Sequence, residues 1–187
     1  RSRPYVTAHS QWLLDCARQS SLGAVQYRLI PNGIDLAVFR PGDRVAARAR
    51  LGLAPDQPMV LFVAASRRSV YKDPDTMNRT IRAVAAATAP GAVGRPAFVC
   101  IGTTVPSAGL AGLDLRCLPF LADPAALADA YRAATVFVHT ARAEAFGKTV
   151  TEAMACGTPV VASAVGGIPE QLVEGQTGFL APAGDAQ

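Results

Sequence analysis

Two glutamates, Glu144 and Glu152, bracket the run Phe146-Gly147-Lys148-Thr149. A carboxylate only accepts hydrogen bonds, and two adjacent hydroxyls can donate to both oxygens of one carboxylate. If a helix begins near Gly147, its first turn carries backbone N–H groups without intrahelical partners, and these favour an anion by roughly 0.3–1 kcal/mol at a surface. Glycine there lets a phosphate approach the backbone. The acids themselves are unsuited to phosphate, since each would repel it by about 4 kcal/mol at about 4 Å and an effective dielectric near 20. They must hold something uncharged. Glu152 lies roughly 7 to 8 Å along the helix from the anion, which suits a ribose. Glu144, on the loop before the helix, suits a second sugar beyond the phosphates.

Gly147-Lys148-Thr149 also spells the end of a phosphate-wrapping GxxxxGK[ST] loop. The first glycine of that motif would fall on Arg142, so the wrapping loop cannot form. Asp73-Pro74-Asp75 resembles a metal-binding DxD, but a helix N-cap followed by a first-turn proline explains it fully. Neither the histidines nor the carboxylates otherwise cluster with metal-ligand spacing, so neither a metal nor a cofactor is expected. His139 reads as a satisfied structural histidine rather than a pocket residue, and His9 as a surface one.

The elements that must position these residues alternate. Ser10 caps a helix with an apolar face of Trp12, Leu13, Cys16 and Ala17; Tyr27 to Ile30 is a strand; Pro31 to Asp35 is a turn with positive φ at Asn32 or Gly33; and Asp43 to Leu51 is a short Arg-rich helix. Met59 to Ala64 and Ala97 to Ile101 are apolar throughout, as strands covered on both faces are. Asp73-Pro74 opens a helix running to about Ala89, whose alanines Ala83 to Ala89 read as helix packing. Asp123-Pro124 opens another. Further strands are expected at 115–118, 135–139, 159–162 and 177–180, and helices at 147–156 and 168–173. Strands joined by helical crossovers give a parallel α/β sheet, doubly wound and Rossmann-like, that binds ligands at the carboxyl ends of its strands. The loop carrying Glu144 leaves such an end.

Composition sets the remaining limits. The 187 residues are 50% hydrophobic and 17% charged, enough for one domain with a real core. The net charge of +4 is dispersed, with no basic run longer than Arg67-Arg68, so a nucleic acid is not an expected partner. Cys16, Cys100, Cys117 and Cys156 form no CxxC pair and read as small buried thiols in a cytoplasmic protein. Apolar stretches fall short of the roughly 18 residues a membrane span needs, and the first residues lack signal-peptide character. Arg1 at the start and a final stretch resembling the approach to another helix suggest a fragment cut at both ends.

Glu144-x7-Glu152 continues as Ala-Met-Ala-Cys-Gly-Thr-Pro-Val-Val-Ala, then Val165-Gly-Gly-Ile-Pro-Glu170 and Gly175-Gln-Thr-Gly-Phe-Leu180. Together with Ile30-Pro-Asn-Gly-Ile-Asp35, this order resembles the C-terminal, donor-binding half of retaining GT-B glycosyltransferases of family 4, the glycosyl transferases group 1. The resemblance implies one nucleotide-sugar-binding domain over 1–187, with 1–30 as an interdomain segment and the N-terminal acceptor domain and final helix absent. It implies a nucleotide-diphosphate sugar (UDP-, GDP- or ADP-linked) and an acceptor sugar or lipid held by the missing domain, with peripheral membrane association open to the full protein. Glu144 would accept donor-sugar hydroxyls and Lys72 would neutralise the diphosphate, the two forming the catalytic pair. Phe146, Gly147, Lys148 and Thr149 would meet the diphosphate and Glu152 the ribose. Gly102, Phe120 and Leu121 would line the base.

The two lysines of the chain, Lys72 and Lys148, both fall in these loops among sixteen arginines, and a lysine is a compact point charge unlike an arginine fork. Where the family often has Gly-Arg after the first strong strand, this chain has Ala64-Ala-Ser-Arg-Arg68, leaving open which of Arg67 and Arg68 reaches the phosphates. Such a fragment would bind donor without transferring it. A GT-B-fold epimerase or phosphorylase, or a non-catalytic nucleotide-sugar-binding module, are the alternatives.

Overall fold

The computed structural model describes residues 5–21, 26–64, 71–88, 94–102 and 110–186. Strands Tyr5–Ala8 (β1) and Gln26–Leu29 (β2) pair in parallel as a separate two-stranded sheet, bridged by helix Gln11–Arg18 (α1). β1 is not expected from sequence, because four residues that pair only with one other short strand carry little hydrophobic pattern. Ser10 does cap α1, its hydroxyl accepting from Leu13 N–H. The helix turns a different face inward: Leu14 is buried, while Trp12 and Cys16 are exposed. Two acceptors on Glu170, 2.7 and 2.8 Å from the Gln11 and Trp12 amides, fix that rotation.

After the turn at 31–35, where neither Asn32 nor Gly33 takes a positive φ, helix Arg44–Arg50 (α2) follows its Asp43 cap. Strand Met59–Val63 (β3), helix Pro74–Ala87 (α3), strands Ala97–Ile101 (β4) and Asp114–Leu118 (β5), helix Pro124–Ala133 (α4), strand Val136–His139 (β6), helix Lys148–Ala155 (α5) and strands Val160–Ser163 (β7) and Gly178–Ala181 (β8) complete the chain. Asp73 and Asp123 cap α3 and α4 through their carboxylates, each with proline in the first turn. The helix expected at 168–173 is a single 3-10 turn, Ile168–Glu170, closed by the Gln171 N–H on Ile168 O.

The main sheet is parallel, in the order β5-β4-β3-β6-β7-β8. β3 and β4 lie inside it, as their unbroken apolar runs require. One face packs α2, α4 and α5 over Leu61, Val99, Phe137 and Val160; the other packs α3 over Val60, Phe62, Phe98 and Cys100. α3 covers only part of that second face. A groove of about 440 Å³ runs beside it, lined by Val60, Val84, Val136, Val138 and Val161. Ala83, Ala86 and Ala87 are accordingly exposed, not packed; Ala89 lies outside the described residues. Cys100 and Cys156 are buried as expected, but Cys16 and Cys117 are exposed. Among the described residues, no helix is long and apolar enough to cross a membrane.

The chain leaves β3 toward β4 and β5, then returns to β6 on the other side of β3. In sheets of this kind, ligands bind where the strand order reverses, here at the carboxyl ends of β3 and β6. The segment holding Lys72 follows β3. The loop holding Glu144 follows β6.

Candidate functional site at the β3 and β6 strand ends

Lys72 and Glu144 reach each other because their backbones are tied. Lys72 forms an antiparallel bridge with Ala141, and Arg142 N–H donates to Tyr71 O at 2.8 Å. Asp73, besides capping α3, accepts from the Arg142 guanidinium at 3.1 and 3.3 Å. Burial alone would push the Asp73 carboxyl up; Arg142 and the Thr76 amide and hydroxyl instead hold it at about 2.

The Glu144 loop is clamped from its other side by Val165-Gly-Gly-Ile-Pro-Glu170. Gly167 N–H donates to Glu144 O at 3.1 Å, and Ser10 Oγ donates to Ala145 O at 2.6 Å. Gly166 takes φ +54°, and a Cβ there would stand 1.9 Å from Glu144 O, so a larger residue would displace the loop. The Gln171 side-chain amide donates to Phe146 O and its oxygen accepts from Thr151 Oγ1.

Within this frame Lys72 Nζ lies 2.7 Å from Glu144 Oε2 and 2.8 Å from His139 Nε2. His139 is 2% exposed and stands 3.5 Å from Glu144 Oε2, with its Nδ1 buried and without a partner among the described residues. Contacts with His139 and Lys72 hold the Glu144 carboxyl at about 2, against burial. Burial pushes the His139 imidazole below its ordinary value. The expectation of a satisfied, purely structural His139 is thus corrected: the ring belongs to the cluster, and one of its nitrogens is unsatisfied. A histidine ending the strand that feeds Glu144 was the available signal.

α5 begins as expected. Gly147 is its N-cap, in the left-handed region at φ 90°, and no side chain caps the helix. A Cβ at Gly147 would lie 2.3 Å from Ile168 Cδ1, and its φ of +90° would strain any residue with a side chain. Lys148 is exposed and Phe146 half-buried, while the Thr149 hydroxyl is buried with no partner among the described residues. One further turn along, Glu152 is 7% exposed, not solvated, and its Oε2 accepts from Tyr131 Oη at 3.1 Å. Burial pushes its carboxyl up, opposed by the Tyr131 bond and by Lys148.

Tyr131 escaped the sequence reading, its signal being one large phenol in an alanine-rich helix. Its ring packs edge-on to Phe137 (centroids 5.5 Å apart), and Phe137 packs against His139 (6.2 Å). A continuous line of rings therefore joins the Glu152 carboxylate to the Lys72–Glu144 pair.

Of the expected base-lining residues, Phe120 is 63% exposed just after β5, Leu121 packs against the core, and Gly102 N–H donates to Leu118 O at 3.0 Å. Gly102 takes φ +74°, where a Cβ would strike Ala64 O, so the ends of β3 and β4 approach closely. Arg67 and Arg68 lie outside the described residues.

The domain is thus a parallel α/β sheet whose switch point gathers an ammonium, an imidazole and a carboxylate near a helix start with no side-chain cap. Residues 112–187 match the family model for glycosyl transferases group 1. D-inositol 3-phosphate glycosyltransferase from Acidothermus cellulolyticus is 38% identical over 172 residues, 84% of this chain and 37% of that protein. D-inositol 3-phosphate glycosyltransferase 1 from Catenulispora acidiphila is 41% identical over 165 residues, 82% of this chain and 39% of that protein. The chain thus spans less than half the length of these curated relatives.

Among solved structures, sucrose-phosphate synthase from Thermosynechococcus elongatus superposes with a TM-score of 0.79 at 33% identity, over 97% of this chain and 46% of that one. HepE of Anabaena, solved with UDP-glucose, superposes with a TM-score of 0.76 at 26% identity, over 98% and 51%. These likenesses support a group 1 glycosyltransferase C-terminal domain with a GT-B fold.

Proposed function

We propose that this domain holds the nucleotide-diphosphate-sugar donor of a retaining, family 4 hexosyltransferase. The observation that carries the proposal is the Lys72–His139–Glu144 cluster at the sheet's switch point, combined with the uncapped start of α5 and its unpartnered Thr149 hydroxyl. In this proposal the diphosphate lies against the α5 amides and Lys72, Glu144 accepts sugar hydroxyls, and Glu152 accepts ribose hydroxyls beside Tyr131. Transfer with retention needs a stabilised leaving diphosphate, which Lys72 and the helix start supply as preset positive potential. The likeness to HepE, a protein solved with UDP-glucose, favours uridine as the base. The acceptor is held by a further domain, so this chain binds donor and does not transfer it.

Calorimetric titration with UDP, GDP and ADP, each with and without glucose, tests the proposal. We expect saturable binding of one base, tighter with sugar attached, and a loss of roughly tenfold or more in Lys72→Ala, as removal of a charged hydrogen-bond donor implies. Binding of none of the six ligands overturns it.

A further inference from the structure

We infer that His139 is the positioning residue for Lys72, an uncharged acceptor that keeps the ammonium aimed into the crevice when Glu144 turns to the donor sugar; the inference rests on the donor-site proposal. An ammonium has only donors, so at 2.8 Å the His139 Nε2 must be the acceptor and the ring proton must sit on Nδ1. That places an N–H in a buried position with no partner among the described residues. Buried donors are normally satisfied. The opposite tautomer would do no better for Nδ1 and would set two donors against each other at Nε2. The 3.5 Å from Nε2 to Glu144 Oε2 is longer than an N–H···O hydrogen bond, whereas Lys72 Nζ lies 2.8 Å from the same nitrogen.

The chemistry of the partner matters. A second carboxylate at position 139 would cancel the charge that the diphosphate must meet, whereas a neutral imidazole fixes the ammonium and leaves its charge intact. Burial keeps that imidazole neutral. The ring itself is held, since it ends β6 in the middle of the sheet and packs on Phe137. The charged groups facing it are Lys72, from the segment before α3, and Glu144, from the loop after β6.

Two measurements decide. Long-range nitrogen–proton spectra of the labelled, ligand-free chain should show His139 as the Nδ1–H tautomer, with the Nε2 resonance moving in Lys72→Met; an Nε2–H tautomer overturns the inference whether or not any nucleotide binds. In UDP-glucose titrations, His139→Leu should weaken binding about tenfold, His139→Gln should recover most of it through its amide oxygen, and His139→Leu placed on Lys72→Met should add less than twofold. An equal loss in both backgrounds means that His139 acts on the fold and not through Lys72. Thermal melts identify a variant that fails to fold, in which case the tautomer and the glutamine variant carry the test. Failure of the unaltered chain to bind any nucleotide sugar sinks the donor proposal, while the tautomer still judges His139.

Discussion

Lys72 and Glu144 stand 72 positions apart in the chain, yet the lysine ammonium lies 2.7 Å from the glutamate carboxylate. They meet because the sheet reverses its winding between β3 and β6, and each residue rides a loop leaving one of those strands. In the free domain the pair is closed, cation on anion. On the proposed function, a donor opens it, with diphosphate taking the cation and sugar hydroxyls taking the anion.

Glu144→Gln separates these two demands. The amide keeps the shape but no longer holds the lysine charge, so bare UDP should bind as well as before or a few-fold tighter. The advantage of UDP-glucose over UDP should shrink toward nothing, because a carboxylate accepts from both sugar hydroxyls and an amide from one side only. Paired calorimetric titrations of the two ligands read both effects.

Acid should loosen the site. Glu144 and Asp73 both titrate at about 2 in the folded chain, below the roughly 4 of an unfolded carboxyl. Their contribution is therefore complete above about pH 4.5 and is lost as pH falls toward 2, since the unfolded state then binds more protons. We expect a stability loss of roughly 2 kcal/mol between pH 5 and pH 3, discounted for the solvent around Arg142. Denaturant titrations at the two values measure it, and the doubly substituted Glu144→Gln, Asp73→Asn chain should show a smaller drop.

Arg48 is 1% exposed on α2 and donates to Ala133 O at 2.7 Å and Ala54 O at 3.1 Å. Replacing it by alanine leaves two carbonyls without their donor and a cavity between α2 and α4. The expected cost is about 3 kcal/mol or more, seen as a lower denaturation midpoint with UDP affinity of the folded fraction unchanged.

Glu152 gives a test at the far end of the ring line. With alanine in its place, UDP should bind several-fold more weakly, whereas 2′,3′-dideoxy-UDP should bind Glu152→Ala and the unaltered chain alike. Equal losses for both nucleotides would mean that the carboxylate supports the helix rather than the ribose. Tyr131→Phe should cost about 1–2 kcal/mol of stability by stripping a buried carboxylate of its donor.

Much of this was legible in the residues. Ala97–Ile101 stands where its five apolar side chains place it, because a strand buried on both faces has no polar register to disguise its ends. The caps at Ser10, Asp73 and Asp123 and the α5 start at Gly147 were equally open, each resting on local backbone chemistry. What sequence could not show is set by distant partners. α1 turns Leu14 inward and leaves Trp12 outside because Glu170, far along the chain, holds its amino end. Arg48 is buried because carbonyls on other elements receive it. His139 becomes part of the site only when β6 lies beside β3 and brings Lys72 to its Nε2, a relation no spacing along the chain encodes.

A crystal structure of this domain with UDP-glucose measures the arrangement directly. We predict diphosphate oxygens within hydrogen-bond distance of the Lys148 and Thr149 amides and of Lys72 Nζ, with glucose hydroxyls on Glu144 and the Lys72–Glu144 contact opened. A diphosphate bound away from the start of α5, or a Glu144 that still grips Lys72 while the sugar points elsewhere, would contradict it.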